Sequence, residues 1–313
     1  MAPRVLVTPR SLTRDGDPAL DLLRRAGYEV IQCTPGRQPD EAELLRLVPG
    51  CVGWLAGVEP VGARVLEAAR GLRAISRNGT GVDNIDLAVA ARLGIRVLRA
   101  EGANARGVAE LAIGLVLALL RSIPWSDAQM KGGAWERRRG LEIGGRTVGV
   151  VGCGRIGRLV AEMALGLGAH VVGHDAVPVD GFDPGSGFRY ADLDTVLAAA
   201  DALTLHCPAL PGGRPLLDAA AIARIKRGAV VVNTARASLV EEGAILKALD
   251  DGQLLGFATD VFPEEPPAST ALVGHPRVIA TPHLGGFTEE SVAKATRVAV
   301  DNLLDALQGP SHG

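Results

Sequence analysis

Three glycines and an aspartate have a spacing that suits the binding of a dinucleotide. Gly152, Gly154 and Gly157 form the pattern G-x-G-x-x-G directly after the apolar run 147–151. The first glycine permits a tight turn, the second lets the backbone approach a pyrophosphate, and the third lets a helix pack closely on a strand. Asp175 follows Gly157 by 18 residues, where a carboxylate binds the ribose hydroxyls of NAD and repels the extra phosphate of NADP. The pattern predicts an NAD site; the alternative is a ligand-free turn and a surface aspartate.

Polar residues also follow the later apolar runs of this half of the chain. Because the carboxyl ends of parallel strands meet at one edge of a sheet, we expect these residues to share a ligand site. They are Cys207, the run Thr234-Ala235-Arg236, Asp260 with Glu264 and Glu265, and the run Thr281-Pro282-His283. Another polar strand-end residue, His206, is interpreted as structural or wall-lining.

Short apolar runs alternate with helix-period segments along nearly the whole chain, which predicts an α/β fold with parallel sheets. Strands are predicted at 4–7, 28–31, 52–55, 72–76 and 95–98, and then at 147–151, 170–174, 202–206, 229–233, 255–259 and 277–280. A long apolar helix at 104–121 separates the two series, and a last helix at 289–307 ends the chain. The polar stretch 122–142, with Trp125 and Trp135, is predicted to be irregular.

Composition narrows the function classes. A chain of 313 residues exceeds one ordinary core, so we expect two domains. The net charge of −2 gives no support to nucleic-acid binding. Four scattered cysteines form neither a disulfide framework nor a metal motif, which favours a cytoplasmic protein without a metal. The N-terminus has no signal-peptide pattern, and the longest apolar run, 111–120, is half the roughly 20 residues of a membrane span.

Several segments, in the same order and at similar spacing, carry a family resemblance. They read GTGVDNID at 79–86, GANA at 102–105 with VAEL at 108–111, GCGRIG at 152–157, NTAR at 233–236, TDVF at 259–262 with EEPP at 264–267, and TPHLG at 281–285. With these segments the chain resembles the D-isomer-specific 2-hydroxyacid dehydrogenases, within them most closely the phosphoglycerate dehydrogenases, in a short form without a regulatory domain.

The resemblance implies two doubly wound parallel-sheet domains. A Rossmann NAD-binding domain would cover residues 103–287. A flavodoxin-like substrate domain would be discontinuous and cover residues 1–102 plus 288–313. The resemblance also implies a homodimer formed through the nucleotide domain, closure of a cleft over the substrate, and an NAD-dependent oxidoreductase that acts on a small D-2-hydroxy or 2-oxo acid.

The family's catalytic arginine, glutamate and histidine fall by motif on Arg236, Glu265 and His283. A histidine suits the transfer of the hydroxyl proton near neutral pH. A carboxylate can orient the imidazole and stabilise its charged form. The planar guanidinium of Arg236 matches a substrate carboxylate bidentately and can polarise the C2 oxygen.

The remaining site residues come from the same motifs. The implied cofactor-binding residues are Gly152, Gly154, Arg155, Ile156, Gly157, Asp175, Cys207, Thr234, Ala235, Arg236, Asp260, His283, Gly285 and Gly286. The implied substrate-binding residues are Arg77, Thr80, Gly81, Arg236 and His283. Arg77 resembles the phosphate-binding arginine of some phosphoglycerate dehydrogenases, with an exposed strand-end cation as the alternative.

Three departures from the pattern of the phosphoglycerate dehydrogenases leave the identity of the substrate open. The loop 55–58 lacks the basic residue that phosphoglycerate dehydrogenases often have, Arg236-Ala237-Ser238 replaces Arg-Gly-Gly, and the run 98–101 (LRAE) replaces a more usual Asn-Thr-Pro. 3-Phosphoglycerate is therefore one candidate substrate, and a related 2-oxo acid, with or without a phosphate or phosphonate, is equally open. The alternatives are a glyoxylate/hydroxypyruvate reductase, a phosphonate-type dehydrogenase and, from another class, an NAD-sensing corepressor-like binding protein.

Overall fold

The computed structural model of the chain describes residues 2–14, 16–268 and 271–308. The described residues divide into two compact units. Unit 1 contains those up to Asn104 and from Glu289 onward, and unit 2 contains those within Ala105–Thr288. The predicted domains have boundaries at 102/103 and 287/288, and residues 309–313 of the predicted substrate domain lie outside the described residues. Each unit has a parallel sheet with helices, so the predicted α/β class is confirmed.

The described part of unit 1 contains a five-stranded parallel sheet in the order β2-β1-β3-β4-β5. Its strands are β1 (Arg4–Val7), β2 (Glu29–Gln32), β3 (Cys51–Ala56), β4 (Ala74–Arg77) and β5 (Arg96–Arg99). Its helices are α1 (Arg10–Arg14), α2 (Leu20–Arg25), α3 (Glu41–Leu47), α4 (Ala63–Ala68), α5 (Leu87–Arg92) and the C-terminal helix (Glu289–Gln308).

The C-terminal helix belongs to unit 1 because its apolar face fits that sheet. Leu303 and Leu307 are buried in one core cluster with Val5 of β1. A Cβ built at Gly53 of β3 would lie 2.7 Å from Leu307 Cδ1, so the glycine permits the close approach of this helix.

The described part of unit 2 contains a seven-stranded parallel sheet in the order β12-β11-β10-β9-β6-β7-β8. Its strands are β6 (Thr147–Val151), β7 (His170–His174), β8 (Phe188–Tyr190), β9 (Ala202–Leu205), β10 (Ala229–Asn233), β11 (Leu254–Thr259) and β12 (Val278–Ala280). Its helices are α6 (Ala105–Leu120), α7 (Ile123–Lys131), α8 (Arg155–Gly166), α9 (Leu193–Ala199), α10 (Ala219–Arg224), α11 (Glu242–Asp250) and α12 (Ala271–Gly274), with short 3-10 turns at Pro211–Gly213 and Ala237–Leu239.

Both sheets reverse their strand order once. In unit 1 the reversal lies between β1 and β3, and in unit 2 it lies between β6 and β9. These orders are the flavodoxin-like and Rossmann orders of doubly wound sheets. Ligands of such sheets bind outside the carboxyl ends of the strands at the reversal, so each unit has one place where a ligand is expected.

Two segments differ from the sequence-based prediction. The stretch 122–142 is not irregular throughout, because α7 occupies its first part, with Pro124 in the first turn and an Asp127–Lys131 pair one turn apart. Proline is favoured at a helix start and such pairs support a helix. The edge strand β8 has three residues, too few for a period-2 pattern.

In the described ranges, no single helix is long and apolar enough to cross a bilayer. Helices α6 and α7 reach the required length and composition together, but they meet at a bend of 62°. Helix α6 packs in the core of unit 2, with Ala112 and Val116 buried beside Val230 and Ala258 of the sheet.

Candidate active site

The glycine turn after β6 has a steric reason for its first and third glycines. Gly152 has φ +92°, and a Cβ there would collide with the backbone at His206 and Cys207, which follow β9. A Cβ at Gly157 would collide with the carbonyl oxygen of Gly152. Apart from its neighbours in the chain, no described atom lies within 4 Å of a Cβ built at Gly154. The turn is therefore tight at its first and third glycines and open at the second, as a pyrophosphate requires.

Helix α8 starts directly at this opening. Its N-cap is Gly154, which contributes no side-chain cap, so the first backbone N–H groups are available to an anion. Asp175 follows β7 and is half-buried; its Oδ2 accepts from the Cys153 N–H at 2.7 Å and its Oδ1 from the Val177 N–H at 3.0 Å. The carboxylate is thus fixed at the rim of the glycine turn, where a ribose diol would reach it.

Two buried polar atoms at this edge have no hydrogen-bond partner among the described residues. They are Oγ1 of Thr234, after β10, and Nδ1 of His206, after β9. His206 Nε2 lies 2.9 Å from Thr204 Oγ1, and burial lowers the pKa of the imidazole to about 3, so this ring is neutral at physiological pH. Buried polar groups without partners indicate a ligand or water. Together with the open turn, they fit a bound dinucleotide.

Arg236 lies two residues beyond Thr234 and opens the short turn Ala237–Leu239. The Asn233 side chain fixes this segment: Oδ1 accepts from the Ala235 N–H at 3.1 Å, and Nδ2 donates to the Arg236 carbonyl at 2.9 Å. Arg236 Nη1 donates to the Ala235 carbonyl at 2.7 Å, and the residue is half-buried. A backbone held in this way places a cation at the carboxyl end of β10.

Glu265 and His283 form a direct pair. His283 Nδ1 lies 2.8 Å and 3.0 Å from the two carboxylate oxygens of Glu265. Because a carboxylate accepts, Nδ1 carries the proton, which leaves the lone pair of the neutral ring on Nε2. The His283 side chain is 57% exposed and the Glu265 side chain is 39% exposed, so the imidazole is accessible while the contact with Glu265 sets its orientation. This is the geometry of an oriented general base.

The backbone at His283 is unusual and is restrained by Asp260. His283 has φ +54°, a conformation that costs a residue with a side chain roughly 1–2 kcal/mol. Asp260 is 1% exposed and accepts from Thr281 Oγ1 at 2.6 Å, from the Leu284 N–H at 2.7 Å and from the Gly285 N–H at 2.8 Å. The carboxylate therefore fixes the segment on both sides of the histidine.

The structure brings the predicted unit 2 residues to one sheet edge. They follow β6, β7, β9, β10, β11 and β12, at the positions Gly152, Gly154, Arg155, Ile156, Gly157, Asp175, Cys207, Thr234, Ala235, Arg236, Asp260, Glu265, His283, Gly285 and Gly286. Arg77, Thr80 and Gly81 lie in unit 1, after β4. The restraint of the histidine segment by Asp260 was not foreseen, although an aspartate directly after a buried strand was a signal for it. In the described ranges, no group of three His, Cys, Asp or Glu residues can hold a metal ion.

Comparisons with known proteins agree with this geometry. Residues 113–285 match the model of the D-isomer specific 2-hydroxyacid dehydrogenase, NAD binding domain. The D-3-phosphoglycerate dehydrogenase of Homo sapiens is 38% identical over 293 residues, which are 93% of this chain and 54% of that protein. The enzyme of that name from Methanocaldococcus jannaschii is 39% identical over 248 residues, 78% of this chain and 47% of that protein. The chain thus spans about half the length of these relatives.

A solved structure extends the similarity to the whole fold. The TT0316 protein from Thermus thermophilus superposes with a TM-score of 0.88 at 36% identity, over 98% of this chain and 97% of that one. The family model covers more than half of the chain, including the glycine turn and His283. The chain belongs to the D-isomer specific 2-hydroxyacid dehydrogenase family, and its unit 2 is that family's NAD-binding domain.

Proposed function

We propose that the chain catalyses NAD-dependent hydride transfer at C2 of a D-2-hydroxy acid and its 2-oxo acid. The observation that carries the proposal is the His283–Glu265 pair, 2.8 Å apart, on the sheet edge that holds the dinucleotide turn. The glycine turn and Asp175 would hold NAD, which would supply the acceptor and donor of the C2 hydride when bound. The residues of the chain supply the acid–base chemistry and the substrate's orientation.

His283 and Glu265 handle the proton. In the oxidation, Nε2 of His283 takes the hydroxyl proton while Nδ1–H stays bonded to Glu265, whose negative charge stabilises the imidazolium that forms. In the reduction, the imidazolium returns that proton to the C2 oxygen. The positive φ of His283 and the Asp260 hydrogen bonds fix the ring before substrate arrives.

We assign substrate orientation in unit 2 to Arg236. The Arg236 guanidinium would clamp the substrate carboxylate and polarise the C2 oxygen, which explains why a hydrogen-bonded turn holds its backbone. In unit 1, the family motifs make Thr80, Gly81 and Arg77 candidate substrate ligands. Thr80 Oγ1 donates to Asn104 Oδ1 at 3.1 Å, which restrains that loop.

A 2-oxo acid screen that follows NADH oxidation tests the proposal, with NADPH in parallel. His283→Ala is expected to lower kcat/KM by about 10³-fold and Glu265→Gln by about 10²-fold, because general acid–base catalysis contributes 10²–10⁴. His170→Ala, an exposed histidine on β7, is the matched control and should keep full activity. Near-normal kinetics of His283→Ala would refute the catalytic assignment. Cofactor binding without turnover of any acid would favour the corepressor-like alternative.

We further propose a homodimer formed through unit 2 and a reducing, cytoplasmic location. Ile123, Met130 and Trp135 of unit 2 are exposed by 54%, 55% and 81%, and a second copy of the chain would remove such apolar side chains from water. All four cysteines are free, as a reducing compartment favours. Light scattering should give a molar mass of twice the chain mass of 32.4 kDa, and Trp135→Glu should lower the measured mass towards that of a single chain.

A further inference from the structure

Three buried polar residues at the carboxyl ends of β10 and β11 are joined by hydrogen bonds. Asn233 ends β10 and pairs in register with Thr259, which ends β11, and Asp260 follows directly. Their exposed fractions are 0%, 2% and 1%. We call these three residues the strand-end network. Because buried polar groups form their hydrogen bonds within the protein, the partners of this network show which segments it holds.

The Asn233 side chain holds the segment that carries Arg236. Its Oδ1 accepts from the Ala235 N–H at 3.1 Å, and its Nδ2 donates to the Arg236 carbonyl at 2.9 Å. The same carbonyl accepts from the N–H of Leu239, which is fully buried, at 3.1 Å. The backbone from which the guanidinium extends is therefore fixed by residues that come before and after it in sequence.

The main chain of the strand-end network continues the sheet beyond its strands. The Asn233 carbonyl accepts from the Asp260 N–H at 3.0 Å, and the Thr259 carbonyl accepts from the Thr281 N–H at 3.0 Å. Thr259 Oγ1 donates to the Val261 carbonyl at 2.9 Å. These bonds join the segments that follow β10, β11 and β12, so a displacement of one segment strains its bonds to the next.

Asp260 extends this connection to the catalytic histidine. Its carboxylate accepts from the N–H groups of Leu284 and Gly285, at 2.7 Å and 2.8 Å, directly after His283. His283 has the left-handed φ of +54°, so its backbone depends on such restraint. A continuous path of hydrogen bonds and covalent bonds thus runs from Asn233 through Asp260 to the residues beside His283.

The distance between Arg236 and His283 matters for the proposed reaction. The acid would be held by its carboxylate at Arg236 while its C2 oxygen meets Nε2 of His283, so both side chains act on one small molecule. A displacement of about 1 Å costs on the order of 10²-fold in rate. The two residues follow β10 and β12, and β11 lies between these strands. The connection across the end of β11 therefore bears on the geometry of both.

We propose that Asn233 is a positioning residue that sets Arg236 and His283 relative to one another through Asp260. Its side chain fixes the arginine segment, and its carbonyl fixes the aspartate that restrains the histidine segment. The inference rests on the proposed function, because it takes Arg236 as the substrate clamp and His283 as the base. It adds that the clamp and the base are positioned as one unit.

Two substitutions separate the bonds of the Asn233 side chain. Asn233→Ser keeps an acceptor for the Ala235 N–H, since a serine hydroxyl forms the same kind of turn, and loses the donor to Arg236. Asn233→Ala loses both. We expect kcat/KM for a 2-oxo acid with NADH to fall about fivefold in the serine variant and about tenfold or more in the alanine variant. Asn302→Ala removes a bond of the same type, to the Arg99 carbonyl of unit 1, and should keep the wild-type value.

A double-mutant cycle distinguishes positioning from a merely structural role. In Asn233→Ala with Asp260→Asn, the loss in kcat/KM should be at least about threefold smaller than the product of the two separate losses, because the first change already releases part of what the second would. Asn233→Ala with Asp175→Ala is the control cycle. The Asp175 carboxylate is bonded to Cys153 and Val177, so these losses should multiply within about twofold. Multiplicative losses in the first cycle would overturn the inference. If Asn233→Ala does not fold, Asn233→Ser takes its place in both cycles.

The NMR signal of His283 gives a readout that needs no turnover. In protein with isotope-labelled histidine, the Cε1–H signal of His283 is assigned by its loss in His283→Ala. It should shift in Asn233→Ser and stay in place in Asn302→Ala. An unmoved signal in Asn233→Ser contradicts the connection and leaves the dehydrogenase assignment standing. If no acid is turned over, the dehydrogenase assignment fails, and the His283 signal alone decides the inference.

Discussion

Asp260→Asn separates the restraint of the catalytic segment from the chemistry of His283. The buried carboxylate accepts one hydroxyl and two backbone N–H groups, from Thr281, Leu284 and Gly285. An asparagine keeps one oxygen and replaces the other with an NH₂ group. On the Oδ2 side that group would meet the Gly285 N–H, so a donor faces a donor and one hydrogen bond is lost.

The magnitude follows from the burial of the site. A hydrogen bond to a charged group contributes about 1.5–3 kcal/mol, and at a residue that is 1% exposed the orphaned N–H is not rehydrated. We therefore expect Asp260→Asn to lower the free energy of unfolding by about 1.5–3 kcal/mol. The left-handed backbone of His283 then loses part of its restraint, and misplacing a base by about 1 Å costs on the order of 10²-fold in rate.

Urea unfolding and steady-state kinetics on the same preparations measure both effects. Thr281→Val removes one of the three hydrogen bonds and keeps the carboxylate, so its loss should be smaller than that of Asp260→Asn. Asp251→Asn, an exposed partner of Lys247, is the matched control and should change neither quantity by more than about 0.5 kcal/mol. Wild-type stability together with wild-type kcat/KM in Asp260→Asn would refute the restraint of the loop.

Three further changes test other parts of unit 2. Asp175→Ala should reduce the preference for NAD over NADP by about tenfold, because the ribose diol loses its charged acceptor; an unchanged kcat/KM ratio would place that acceptor elsewhere. Gly157→Ala should lower the free energy of unfolding by about 1–3 kcal/mol and weaken NADH binding measured by fluorescence, because the added Cβ collides with the Gly152 carbonyl. Gly114→Ala, on the exposed surface of a helix, is the control and should change neither quantity in this way. Burial lowers the pKa of His206 from 6.5 to about 3 in the folded protein, so the unfolded state binds the proton first as the pH falls. The free energy of unfolding should therefore decrease between pH 6.5 and 3, by up to about 1.4 kcal/mol per pH unit. Urea unfolding at several pH values measures this slope, and His206→Gln should remove the contribution of His206.

The fold could be predicted from the sequence largely because its strands are buried runs of branched residues. The predicted strands at 4–7, 147–151, 170–174 and 229–233 coincide with β1, β6, β7 and β10. Such runs carry their own signal, and their alternation with helices implies parallel sheets. Strand β8 was not predicted because three residues at an edge show no periodicity. Helix α7 was not predicted because its sequence signal was only a proline and one ion pair.

The candidate site, too, could be predicted from the sequence only in part. The glycine turn depends on local geometry, so spacing alone predicts it, and the structure gives Gly152 and Gly157 a steric reason. The contact between Glu265 and His283 joins residues that are 18 apart in sequence, and no local pattern encodes it; the family resemblance carried that pairing. The burial of Glu59 was not predicted, because a glutamate after a strand is usually a solvated loop residue, whereas Glu59 is 1% exposed.

The two sheets use their strand-order reversals in opposite ways, and this difference bears on function. At the β6/β9 reversal the second glycine of the turn leaves space, and the helix that begins there offers N–H groups to an anion. At the β1/β3 reversal the Gly57 loop packs against the buried side chain of Glu59. An anionic ligand needs space and N–H donors at such a reversal. The β6/β9 reversal offers both, and in unit 1 a side chain of the protein occupies the equivalent place, which is why we assign the phosphates of the cofactor to unit 2.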